Sequence, residues 1–123
     1  MAKYIMDELE RCRIWIEAAL EYSGGTHEYI DVFHAILEGR MQLWPAENGC
    51  LVTELIVYPR KKVLHIFLAG GSMDQIINMH QDLIAWSKLQ ECTALSLAGR
   101  KGWTKVLKDF GWQEKFTTLI KEI

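Results

Sequence analysis

The segment "VLHIFLA", Val63 to Ala69, constrains this chain most. Strand side chains point alternately to two faces, and here both faces are apolar apart from His65. Such a strand needs hydrophobic cover on each side, so it belongs in the interior of a sheet held between two layers. The cover must come from the segments before and after it.

Helical periodicity supplies that cover. In "YIMDELERCRIWIEAALEYSGG", Ile5, Leu9, Cys12, Ile16 and Leu20 recur at steps of three and four, which makes one apolar stripe ending at a glycine pair. A second helix fits Glu28 to Glu38, with Thr26 as N-cap, Gly39 as stop and Ile30, Phe33 and Leu37 inward. Beyond the central strand, Ser72 and Gln75 form a capping box. They open a helix whose inner face is Ile76, Met79, His80, Leu83 and Ile84. A last helix carries Trp103, Val106, Leu107 and Phe110 and ends at Gly111.

The remaining segments read as strands. "MQLWPAENGCLVTELIVYP" is two strands joined around Asn48-Gly49, a dipeptide suited to the left-handed angles of a tight hairpin. "TALSL" is a short strand of buried character, and "FTTLI" is a β-prone closing strand. Strand–helix–strand around the third helix implies a right-handed crossover and one parallel pair. Residues 1–123 suit one domain, with no linker or internal repeat.

Composition narrows the function classes. A formal net charge of −2 gives no electrostatic ground for nucleic-acid binding. No apolar run reaches the roughly 20 residues of a membrane span, and no signal-peptide pattern opens the chain. Cys12, Cys50 and Cys92 sit among apolar residues as small hydrophobes, which points to a reducing, cytoplasmic setting. His27, His34 and His80 lack metal-ligand spacing, so no metal is expected. Trp44, beside Pro45 near the hairpin, is the tryptophan hardest to bury.

The order of elements, together with "ALSLAGRKGWTKVLKDFGW" and its Gly111-Trp112 pair, resembles the GNAT superfamily of acyl-CoA-dependent N-acetyltransferases over nearly the whole chain. The resemblance implies an α/β (mixed α+β) fold: a mixed, mostly antiparallel sheet flanked by helices on both faces. It implies acetyl-CoA as a bound substrate rather than a prosthetic group, and a small-molecule or protein amine as acceptor. The cofactor would lie between the strands at Phe67 to Ala69 and Leu95 to Leu97. Main-chain amides at the end of the first of these strands would meet the carbonyl oxygen, and Phe67 and Leu68 count among the cofactor-binding residues. The loop of Ala69, Gly70, Gly71, Ser72 and Met73 would hold the pyrophosphate, with Arg100 or Lys101 reaching a phosphate. Glu54 and His65 are the candidate bases. Compact GNAT-like chains of this kind are also similar to some encoded by tailed bacteriophages, including virion components, which implies a protein partner or virion assembly instead.

Three features depart from the family pattern. Leu107 stands where many members carry an acid tyrosine. Gly70-Gly71 lacks the usual spacing of the pyrophosphate loop, and Asp74 brings a negative charge to the same helix start. The glycines therefore read either as a phosphate cradle or as a capped corner. His65 reads either as a base or as a half-buried histidine with a structural partner, and Glu54 either as a base or as a solvent-facing strand residue.

Overall fold

A computed structural model describes residues 2–100 and 102–123. Lys101, read above as a phosphate contact, lies outside the described residues. The elements run α1 (Ala2–Leu20), α2 (Tyr29–Leu37), β1 (Gln42–Ala46), β2 (Gly49–Val57), β3 (Lys62–Gly71), α3 (Met73–Asn78), α4 (His80–Leu89), β4 (Ala94–Leu97) and α5 (Gly102–Leu107), the last continued by a 3₁₀ turn at Lys108–Phe110. The sheet order is β1-β2-β3-β4, antiparallel except for the parallel pair β3–β4. No helix among the described residues is long and apolar enough to cross a membrane.

The two apolar faces of β3 meet two separate layers. On one face Leu68, with Cys50 and Val52 of β2, packs against Leu9, Cys12 and Ile16 of α1 and Val32, Ala35 and Ile36 of α2. On the other, Leu64 and Ile66 join Leu51, Ile76 and Leu83, with Trp86, Leu97 and Trp103 at the margin. Helix α1 thus buries the stripe its spacing defines. Helix α2 does so only in part: Phe33 packs against the core as expected, but Val32, Ala35 and Ile36 are the buried residues, whereas Ile30 and Leu37 face outward. Its sequence carries two apolar stripes, and the one containing the small Ala35 seats against the core. Its cap is Glu28, paired reciprocally with Asp31, while Thr26 bonds Ser23 and His27 instead.

The hairpin turns one residue earlier than the dipeptide implies. Ala46 pairs with Gly49, so Glu47 and Asn48 form the corner, and neither Asn48 nor Gly49 takes a positive φ. Gly49 is required for space: a Cβ there would stand 2.8 Å from the Gly70 carbonyl oxygen. Arg11 of α1 clamps this hairpin through bonds to the Ala46 and Glu47 carbonyls, 2.7 and 2.8 Å.

Trp44 is held rather than displayed. Its indole Nε1 donates to Thr53 Oγ1 at 2.9 Å, and its ring meets Trp86 edge-on at 5.7 Å. The helix after Ser72 is broken at Met79 into α3 and α4. The closing strand does not form. Residues 113–123 contain no regular element, and Phe116, Leu119 and Ile120 are 90, 89 and 77 % exposed. A strand exists only through a neighbour's backbone bonds, and this segment has none among the described residues.

Candidate functional site: the opened strand pair

The site begins with a defect in β3. Thr53 pairs with Ile66 and Val52 with Leu68, which leaves Phe67 without a partner on β2. This is a β-bulge, one extra residue that bends its strand and sharpens the local twist. At the same point the parallel pairing with β4 ends, at Ile66↔Leu97. Beyond it, β3 continues from Phe67 to Gly71 bonded to β2 alone. The two strands therefore separate at the bulge, and the main chain at Phe67 and Leu68 is released from β4.

A polar row crosses the sheet immediately before the gap. The registers align Glu54 of β2 with His65 of β3, and His65 with Ser96 of β4. His65 Nδ1 lies 2.8 Å from Ser96 Oγ, bridging the parallel strands with a hydrogen bond. Burial holds the His65 pKa below its ordinary value near 6.5, and the Glu54 carboxylate opposes this only in part. The imidazole is thus kept neutral and available to accept a proton. Sequence reasoning named Glu54 and His65 but missed Ser96. Its only signal was one hydroxyl between Leu95 and Leu97, and only the parallel register brings it beside His65.

Contacts across the mouth tie it to the α1–α2 link. The His27 ring packs on Phe67, with centroids 4.7 Å apart. Arg100, just past β4, stacks over Tyr22 at 4.2 Å. That contact directs the guanidinium toward the end of α1 rather than toward the Gly70-Gly71 corner. On the opposite face of the sheet the gap is filled. Ile66, His80, Leu97, Trp103, Leu107 and Trp112 are among the residues around a cavity of about 20 Å³, room for one water. Leu107 takes part there as packing, and the Trp112 indole N–H donates to His80 Nε2 at 3.0 Å.

The glycine corner is built for close approach. A Cβ on Gly70 would stand 2.7 Å from the Trp15 carbonyl oxygen of α1. Gly71 has φ +91°, and a Cβ on it would overlap Asn48 O and Gly49 Cα. The corner's amides are also largely occupied. The Ser72 amide donates to Asn48 O at 2.7 Å, which makes Gly70 and Cys50 a hydrogen-bonded pair of the β2 ladder and turns the Gly71 amide away from β2. Gln75 N–H reaches Ser72 Oγ, as half of a capping box would, and Ile76 N–H reaches the Ser72 carbonyl. The Gln75 side chain does not return to Ser72; its Oε1 accepts from the Asn48 amide at 2.6 Å. Ala69 lies inside β3, paired with Leu51, and Met73 begins α3 with its side chain exposed.

Among solved structures, the chain is similar to a possible acetyltransferase of Clostridium difficile, at 13% identity over 96% of this chain and 92% of that one, with a TM-score of 0.67. It is similar to the tetramutant of the BH1408 protein of Bacillus halodurans, at 13% identity over 97% and 96% of the two chains, TM-score 0.67. A GNAT family acetyltransferase of Staphylococcus aureus matches at 10% identity over 95% and 93%, TM-score 0.60. No protein-family model and no curated protein matches the sequence. At these identities the likeness concerns the fold. The chain has the GNAT fold, with the mixed, mostly antiparallel sheet between helical layers that the sequence resemblance implied.

Proposed function

We propose that this GNAT-fold chain is an acyl-CoA-dependent N-acetyltransferase that works from the gap between β3 and β4. The observation carrying this reading is the polar row Glu54–His65–Ser96, which ends where the strands part. In the transfer, the amine nitrogen bonds to the thioester carbonyl carbon and the carbon–sulfur bond breaks. The proton lost by the amine goes to His65 and passes from the imidazolium, through water, to the departing thiolate, so that His65 returns to its neutral form and the charges balance. Glu54 steadies the imidazolium that forms. The main chain of β3 beyond Ile66, no longer bonded to β4, offers hydrogen bonding to the carbonyl oxygen as charge develops on it.

The fit to acetyl-CoA is uneven along its length. A thioester arm suits the opened strands. The pyrophosphate end does not suit the corner, where the amides of Gly70 and Ser72 already have partners and Asp74 adds like charge. The reading therefore carries weak cofactor affinity with it. Titration of acetyl-CoA to millimolar concentration, followed by melting, tests binding. A ligand at one hundred times its dissociation constant adds about 2.7 kcal/mol of stability. Thiol release against a panel of amines then tests transfer, with His65→Gln as the control that abolishes it. No thermal shift at millimolar acetyl-CoA overturns the reading.

The occupied corner favours a second reading: a GNAT-fold module without catalysis that acts through a protein interface, a virion component being one form of it. Absent binding of acetyl-CoA together with recovery inside a larger particle would support it.

A further inference from the structure

One short link touches both lips of the gap between β3 and β4. On the β3 side Phe67 packs against His27, and past the end of β4 Arg100 stacks over Tyr22. Residues 22–27, between α1 and α2, therefore border the gap on one face of the sheet.

The polar row points to that same face. Leu64, Ile66, Leu95 and Leu97 belong to the layer formed with α3, α4 and α5. Strand side chains alternate, so His65 and Ser96 turn the other way, toward the α1–α2 layer against which Phe67 packs. Glu54, in register with His65 and followed by Leu55 of the opposite layer, shares their face. The row, His27, Tyr22 and Arg100 thus surround one opening.

Charge is divided across this opening. Glu54 stands at one end of the row. Arg100 follows Ser96 by four residues, a stretch that extended chain spans in about 13 Å. Arg11, Arg13 and Arg40 each pair with a glutamate, and Arg60 sits at the turn between β2 and β3, away from the gap. The Arg100 guanidinium has no ion pair or side-chain hydrogen bond among the described residues. Seated on the Tyr22 ring, it keeps its N–H groups for a further partner. A carboxylate matches that planar fork with two parallel bonds.

We infer that the acceptor is an amine carrying a carboxylate at the far end of a short chain, with the amine at His65 and the carboxylate on Arg100. Glu54 draws the ammonium form to the row and Arg100 fixes the opposite end, so the site selects a zwitterion over a simple alkylamine. The inference rests on the proposed transferase reading and supplies its acceptor class, with Arg100 as a specificity-determining residue.

The test pairs ε-aminocaproate with hexylamine, which share a chain length and differ in carboxylate against methyl. Their N-acetyl products probe the site without turnover. At millimolar concentration N-acetyl-ε-aminocaproate should raise the melting temperature and N-hexylacetamide should not. Arg100 is exposed, so Arg100→Gln keeps the fold; it should lose this shift, and Arg100→Lys should retain part of it. In turnover, ε-aminocaproate should exceed hexylamine in kcat/KM by about tenfold or more. Arg100→Gln should raise the KM for ε-aminocaproate with kcat held, bringing the two amines level. An equal response to the two products, or a shift that survives in Arg100→Gln, overturns the inference. Loss of acetyl-CoA binding in Arg100→Gln also overturns it, since the guanidinium would then serve the cofactor's phosphates. Absence of any acetyl-CoA shift in the unaltered chain is a separate failure: it removes the transferase reading, while the two products still decide the carboxylate site.

Discussion

Replacing Gly71 with alanine probes whether the corner after β3 exists for packing. Gly71 has φ +91°, a left-handed geometry that costs a residue with a Cβ about 1–2 kcal/mol. The added methyl would also overlap Asn48 O and Gly49 Cα, both main-chain atoms that cannot rotate away. The hairpin must then retreat, at the expense of the bonds from Ser72 N to Asn48 O and from Asn48 N to Gln75 Oε1. At about 1 kcal/mol net for each bond, the total reaches about 3–4 kcal/mol. Gly111→Ala is the matched control: its φ is +86°, with nothing within 4 Å of the new atom, so it bears the conformational cost alone. For a domain of this size the melting temperature should drop by about 12–16 °C in Gly71→Ala and about 4–8 °C in Gly111→Ala. Thermal unfolding by circular dichroism reads both. Equal losses would refute the packing account of the corner and leave only backbone geometry.

Other consequences follow from the same structure. Leu64, fully buried under the second helical layer, should lose about 2–5 kcal/mol on change to alanine by urea unfolding. Val57→Ala, at a site 76 % exposed, should stay within about 0.5 kcal/mol. Because burial lowers the folded pKa of His65, the unfolded chain takes up this proton first as the solution is acidified. The stability His65 contributes is therefore complete above about pH 6.5 and is lost as the pH falls toward the folded value. His65→Gln should remove that part of the acid slope, and Glu54→Gln should steepen it, since Glu54 is the group that pulls the pKa back up. Urea midpoints measured from pH 7.5 down to pH 5 decide this, and an unchanged slope in His65→Gln would contradict the assignment.

Much of the fold was legible because each segment states its own needs. Two apolar faces placed Val63–Ala69 inside the sheet, and steps of three and four placed α1 against it. Ser72 was readable as a cap from its hydroxyl and from Gln75 three positions on, but the destination of the Gln75 amide oxygen was not. Nor was the choice between the two stripes of α2, since both satisfy helical periodicity and only packing against α1 separates them. Trp44 appeared hard to bury until the strand register set Thr53 under its indole. In the candidate site, His65 and Glu54 stood out as polar residues in apolar strands. Ser96 is 31 residues from His65 and becomes its partner only through a parallel pairing that follows a helical crossover.

The amino-acid order alone determined which segments become strands and helices and which of their faces seek cover, because those properties depend on side-chain chemistry repeated at short range. The folded arrangement decided what meets what: where the bulge at Phe67 parts β3 from β4, which amides at the glycine corner find partners, and that the last β-prone segment finds none among the described residues. Those outcomes turn on register and on distances between residues far apart in the chain. Short-range periodicity carries no record of either.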